Sequence, residues 1–286
     1  GLAGGTGTVA FLVGLARPGP QGLATTQLVL GGMGGEAALL GLLARLAAEA
    51  EAVVTYNGKR FDLPLLATRF RLHGLPDPFA GLPHLDLLYP VRRLYRRRWP
   101  DCRLVTAEER LLGQERSGDL PGAEAPEAWR AFLRSGRPGR VPEVARHNRT
   151  DIHSLAALLP ALAGGHRAPR SAGADPLAVA RSRLADGDEA GARALLAAQA
   201  GELGREGQLE LARLYRRAGE GEAARELWEA LAARGCPTAT EHLAKHYEHH
   251  WRDPARALAW AERLPPGPGH EHRRQRLRAK CGAGKD

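Results

Sequence analysis

The sequence predicts an α/β layer fold with a mixed sheet and flanking helices, followed by an all-α helical-repeat domain. Three observations predict it. Before residue 164, runs rich in strand formers alternate with segments of helical period. After it, only helical spacing occurs, with positions that recur at about 33 residues. Between the two lies Gly164-Gly165-His166-Arg167-Ala168-Pro169-Arg170-Ser171-Ala172-Gly173, rich in Gly and Pro and without apolar periodicity. The chain of 286 residues, 43% of them hydrophobic, is long and apolar enough for about two packed domains.

The elements follow in order. Residues 9–15 and 25–30 are strand-like runs separated by a Pro/Gly turn at 17–21, the pattern of a hairpin. Residues 37–50 have helical spacing, and Ala52-Val53-Val54-Thr55-Tyr56-Asn57 reads as a buried strand. A helix over 63–73 and a short strand at His84-Leu85-Asp86-Leu87 come next. Helical stretches are then expected at 91–98, 103–112, 126–135 and 141–159. In the second half, Leu211, Ala212 and Tyr215 recur as Leu243, Ala244 and Tyr247, and Gly187 recurs as Gly219. A period of about 33 with small residues at helix crossings is that of tetratricopeptide-like repeats. The expected organisation is therefore residues 1–163 as the α/β domain, 164–175 as linker, 176–266 as repeats and 267–286 as a basic tail.

Composition narrows the function. Net charge is +9, and all but four of the 41 basic residues are arginine, the residue of phosphate-binding forks and also of GC-rich genomes. Three scattered cysteines, Cys102, Cys236 and Cys281, offer neither a disulfide framework nor a metal knuckle, and point to a reducing cytoplasm. No apolar run is long enough to span a bilayer.

Two acidic positions carry the chemistry. Asp62 follows the strand and turn Thr55-Tyr56-Asn57-Gly58-Lys59-Arg60-Phe61 and precedes a helix. It reads either as a helix cap, with Pro64 in the first turn, or as a carboxylate at the C-terminal end of a strand, where open α/β sheets place their sites. His147 and Asp151 stand i,i+4 on a helix and share a face with Leu155. A carboxylate beside an apolar stripe needs a partner, either an ion pair or a divalent metal.

Together, Asn57-x-x-x-Phe61-Asp62 and His147-x-x-x-Asp151 resemble the second and third motifs of the DEDD 3′–5′ exonucleases of the ribonuclease H-like superfamily. The chain is more closely similar to the bacterial YprB-like group. Thr55 through Pro64, Pro83-His84-Leu85-Asp86-Leu87, and His147-Asn148 with Asp151, Ser154 and Leu155 carry that likeness, which covers residues 1–162 and extends into the repeats. The resemblance implies a ribonuclease H-like fold and two-metal hydrolysis of phosphodiesters in RNA or single-stranded DNA, with Mg²⁺ or Mn²⁺ on carboxylates. It assigns Asp62 and Asp151 as metal ligands and catalytic residues, and His147 as the group that orients the attacking water. His147 stands four residues before the last Asp, the spacing of the tyrosine-type exonucleases; many histidine-type ones use five. The resemblance also implies an Asp-x-Glu motif on an opening strand. The first acidic residue here is Glu36, and Gly1 through Thr8 reads as the turn after such a strand. Either that strand is expected upstream of Gly1, or the motif is displaced or lost in the natural protein, and the chain as shown is expected to turn over little.

Arg92, Arg93, Arg96, Arg97 and Arg98 crowd one short helix beside Tyr95 and Trp99, with no acid between Leu87 and Pro100. This reads as a nucleic-acid contact, joined by Asn57 and Lys59, against the plainer reading of a solvated helix face. Asp86 reads as structural. His242, His246, His249 and His250 fall inside a repeat helix and read as surface residues. Two functions from different classes remain: a metal-dependent nuclease, and a catalytically degenerate nucleic-acid-binding or scaffold protein whose repeats bind a protein partner.

Overall fold

The computed structural model describes residues 7–116, 118 and 120–282. Most of the opening glycine-rich turn and the last four residues of the expected tail lie outside them. The chain divides into two compact units, Gly1–Ala174 and Asp175–Asp286.

The first unit opens with a hairpin of β1 (Leu12–Gly19) and β2 (Gly22–Val29), paired from Leu12↔Val29 to Gly19↔Gly22. The turn is tighter than expected, because the ladder carries on through Arg17 and Pro18 to a two-residue loop. Helix α1 (Glu36–Ala47) leads to β3 (Val53–Thr55), α2 (Asp62–Leu72) and β4 (His84–Asp86), and β4 pairs with β3 in parallel. The α/β alternation is present, and among the described residues the strands form two separate two-stranded ladders. Side chains alternate across the hairpin as the pleat dictates. Phe11, Val13, Leu15, Leu28 and Leu30 join Leu39, Leu40, Leu43, Leu66, Phe70 and Trp129 in the main core. The opposite face carries Leu12, Gly14, Thr25 and Gln27.

Next come α3 (Leu88–Tyr95), α4 (Leu104–Ala107) with a π-helical turn at Glu108–Leu112, α5 (Ala125–Ser135) and the long α6 (Val141–Arg167). Helix α6 lies on the second face of the hairpin. A Cβ on Gly14 would stand 2.1 Å from Ile152 Cδ1 and 2.2 Å from Asn148 Oδ1, so only glycine admits the helix at this distance. Gln27 Nε2 donates to the Ala145 carbonyl at 2.7 Å and to Asn148 Oδ1 at 2.9 Å, and Thr25 Oγ1 meets His153 Nε2 at 3.0 Å. These bonds set the rotation and height of α6.

Two expectations need correction here. Helix α6 runs through Pro160 to Arg167, so the expected linker begins as helix. Leu158, Leu162 and Gly165 are buried, and a Cβ on Gly165 would meet the Tyr95 hydroxyl at 2.6 Å. That glycine serves close packing against α3 rather than a chain turn, and burial of this face offsets the proline's missing bond, a cost of about 3 kcal/mol.

The second unit is all helical: α7 (Pro176–Ala185), α8 (Glu189–Ala198), α9 (Arg205–Arg217), α10 (Gly221–Ala233), α11 (Pro237–His249), α12 (Pro254–Glu262) and α13 (Pro268–Gly282). Gly187 and Gly219, the recurring pair, have φ of 84° and 83° just after α7 and α9. Both therefore end the first helix of a pair in the left-handed conformation that favours glycine. Trp228, Leu231, Leu243, Tyr247 and Leu277 share one buried cluster. The histidines correct another expectation: His246 is buried, edge-on to Trp228 and Trp251, and His242 stacks on Trp228.

The expected basic tail is also structured as α13. Leu277 is fully buried, and Arg273, Arg276 and Lys280 converge on the buried Glu248 at 2.7, 2.8 and 3.1 Å. Burial pushes that carboxyl up, but Arg276 and Lys280 outweigh it and hold it at about 2. A carboxylate lowered from 4.5 contributes its full stability above that pH and loses it as the pH falls towards 2. Glu248→Gln is expected to cost the unit about 1–3 kcal/mol, the range for a lost hydrogen-bonding partner, since Arg273 stays largely buried but Arg276 and Lys280 are 40% and 50% exposed. It should also speed hydrogen exchange across α13, and wild type should show the same exchange on acidification through that window.

Candidate active site

The site is built on the turn between β3 and α2. Asp86, at the end of β4 and only 2% exposed, accepts backbone N–H bonds from Asn57 at 2.7 Å, Lys59 at 3.0 Å and Leu88 at 3.1 Å. One carboxylate therefore fixes the β3–α2 turn and the start of α3. Asn57 is held at φ 65°, and a Cβ on Gly58 would come within 2.5 Å of the Thr55 side chain. The turn thus needs the left-handed tolerance of Asn and the small size of Gly.

This turn delivers Asp62 as the first residue of α2. Its side chain makes no capping bond, so the capping role is not what occupies it; Phe61 stands at the cap position. Asp62 is exposed, yet the surrounding protein desolvates its carboxyl and raises its pKa, with Asp86 and Asp151 adding to the rise and His84 opposing it. The nearby His84 Nε2 lies 2.8 Å from Thr55 Oγ1.

From the other side, α6 presents His147 and Asp151. Desolvation raises the Asp151 carboxyl as well, against the pull of Arg116 and His147. The charge of Asp151, 89 positions away in sequence, adds to the rise at Asp62. His147 Nε2 stands 3.5 Å from Asp151 Oδ2, and Arg116 Nη1 stands 3.3 Å from its Nδ1. A guanidinium can only donate, so in this arrangement Nδ1 accepts and the ring proton sits on Nε2, towards Asp151.

Two residues of the site were absent from the sequence reading. Glu108, fully buried in the π-helical turn, takes Arg116 Nε at 2.7 Å and Nη2 at 2.6 Å, and the same guanidinium reaches Asp151 Oδ1. Glu108 was detectable in principle: it shares a helical face with Leu104, Ala107 and Leu111, where a carboxylate needs a cation. Arg116, in a segment without periodicity, left no such signal.

The basic residues divide. Arg92, Arg93, Arg96, Arg97 and Arg98 are all exposed, while Leu88, Val91, Leu94 and Tyr95 form the buried face of the same segment. Tyr95 is buried and takes one face of Trp99, with centroids 4.1 Å apart. Lys59 lies over the Tyr89 ring at 5.5 Å, beside the turn of Asp62. The carboxylates of Asp62 and Asp151 are hard oxygen donors, the type that suits divalent cations. Among the described residues, no group of three or more His, Cys, Asp or Glu is disposed to hold a metal.

Two outcomes follow. Folding raises the proton affinity of Asp62, so its charge destabilises the fold above the raised midpoint and ceases to do so below about pH 3.8. In metal-free buffer Asp62→Asn should raise the melting temperature at pH 7, and calorimetry should show the gain shrinking as the pH falls. Arg116→Ala strands the buried Glu108 and should cost about 3–5 kcal/mol in urea unfolding.

The RNase_H superfamily model matches residues 1–163. Over 278 residues the chain is 33% identical to the protein YprB of Bacillus subtilis (strain 168), described as uncharacterized. The match covers 92% of this chain and 66% of that relative's length. No solved structure matches. With more than half of its length matched to the family model, this chain belongs to the RNase_H superfamily.

Proposed function

We propose that the protein is a metal-dependent nuclease, a 3′–5′ exonuclease that hydrolyses phosphodiesters in RNA or single-stranded DNA. The observation that supports it is that Asp62 and Asp151 both sit in desolvating surroundings that raise their pKa, with the charge of Asp151 adding to the rise at Asp62. In this reading the two aspartates are the chain's ligands for Mg²⁺ or Mn²⁺, which when bound supplies charge neutralisation at the phosphate and a more acidic water. The remaining roles belong to side chains. His147, freed at one nitrogen when Arg116 turns to Glu108 alone, accepts a proton from water at the phosphate. Asn57 and Lys59 flank the turn that carries Asp62 and face the strand, and the arginines at 92, 93, 96, 97 and 98 hold its phosphates.

A second reading, a degenerate nucleic-acid-binding or scaffold protein, draws on Arg116, whose guanidinium already neutralises Asp151. In either reading we assign the second unit to tetratricopeptide-like repeats that engage a protein partner. We place the protein in the cytoplasm, for which its three free cysteines are suited. No described helix is long and apolar enough to cross a membrane.

The test is hydrolysis of 3′- and 5′-end-labelled oligonucleotides by the complete natural polypeptide in Mn²⁺ or Mg²⁺. Asp62→Asn and Asp151→Asn should each lower the rate by more than about 100-fold, about 2.7 kcal/mol of transition-state stabilisation. Chelation should abolish it. Oligonucleotide binding without turnover would favour the second reading, and equal rates in wild type and both variants would end the first.

A further inference from the structure

The first unit holds a cleft that neither the carboxylate site nor the family match explains. Its volume is about 520 Å³, inside the range of roughly 300–1,000 Å³ usual for small-molecule sites. One wall is Arg98 and Trp99 after α3, a second is Arg110 in the π-helical turn, and α6 at Ala161 and the loop at Ser171 close it.

The lining chemistry is specific. Arg98 and Arg110 come from different elements, are exposed, and have no acidic partner among the described residues. Two guanidiniums facing one space repel each other unless an anion lies between them, and their planar forks match phosphate oxygens. Trp99 is half-buried, with one ring face covered by Tyr95. Ser171 adds a hydroxyl whose own proton goes to the Ala168 carbonyl, leaving its lone pairs towards a donor. An anion flanked by an aromatic surface and a hydrogen-bond acceptor describes a nucleotide better than a bare phosphate.

Position supports this. Ala161 lies ten residues beyond Asp151 on the same helix, about 15 Å along its axis. That distance is about four stacked nucleotide steps of 3.4 Å. The π-helical turn that supplies Arg110 also supplies Glu108, so the two places are tied by one element.

We propose that this cleft is a nucleotide subsite for a single nucleic-acid strand, with Arg98 and Arg110 on one phosphate and Trp99 against its base. The subsite deepens the nuclease reading, and as an arm of the degenerate alternative it would serve binding alone.

The test is equilibrium binding of fluorescein-labelled 12-nucleotide RNA and DNA single strands in EDTA, where hydrolysis cannot intervene. Arg98→Gln with Arg110→Gln should weaken binding by about tenfold and lower the salt slope by about 0.7, the value for one phosphate on a single strand. Trp99→Leu should weaken binding by at least about fivefold at unchanged slope. A dinucleotide, long enough to fill the cleft alone, should bind more weakly than the 12-mer and lose affinity in the same variants. Arg98→Lys with Arg110→Lys retains the charge and should keep the slope, and Arg137→Gln should leave binding within about twofold. All these side chains are exposed or half-buried, and circular dichroism melting checks that each variant folds. Wild-type affinity and slope in the double Gln variant would overturn the proposal. So would polyphosphate binding as tightly as the 12-mer with no effect of Trp99→Leu, which would mark a generic anion patch. Absence of hydrolysis together with arginine-dependent binding would remove the nuclease reading and leave the subsite standing.

Discussion

Much of the first unit hangs on the Asp86 carboxylate and its three backbone N–H bonds. Two of them bind the turn after β3 and one binds the start of α3, so a single buried group sets the position of Asp62 and the direction of the arginine-bearing segment. Hydrogen bonds to a buried charged acceptor are the stronger kind, and a lost partner leaves that charge without compensation. The short parallel pairing of β3 with β4 brings Asp86 to this place, and Gly58 and the left-handed Asn57 let the chain bend around it. The placement of α6, which carries His147 and Asp151, depends on Gly14 and Gln27, which bring that helix down on the hairpin.

Desolvating Asp62 and Asp151 has an electrostatic cost, and at Asp151 the unit carries a means to offset it. Arg116 sits on Asp151 while anchored to Glu108, a carboxylate so buried that the guanidinium is its necessary partner. The cation that satisfies Glu108 therefore also screens Asp151. In the proposed nuclease a divalent cation would take over from Arg116 at Asp151, whereas in the scaffold alternative Arg116 would stay, so both proposals turn on the same few side chains.

The α/β alternation and the helix-only second half could be read from the sequence, because period and turn chemistry are local properties. The hairpin and the crossover from β3 to β4 were legible for the same reason. Misreadings arose where tertiary packing overrode local signals. Gly164, Gly165 and Pro160 look like chain breakers, yet Tyr95 requires a glycine opposite it and the buried face carries α6 through the proline. The charged run after residue 267 looks like a tail, yet Glu248 and Leu277 fold it into α13. His246 looked like a surface residue, but its ring is needed between two tryptophans. Arg116 was invisible, since its partners stand 8 and 35 positions away and only the fold brings them together.

The charge of Asp151 raises the proton affinity of Asp62. Carboxyl ¹³C NMR titration of Asp62, in metal-free wild type and in Asp151→Asn, measures this directly. The account predicts a midpoint above the ordinary aspartate value of 3.8 in wild type and a lower midpoint in the variant, as one repelling charge is removed. An Asp62 midpoint unmoved by Asp151→Asn would contradict it.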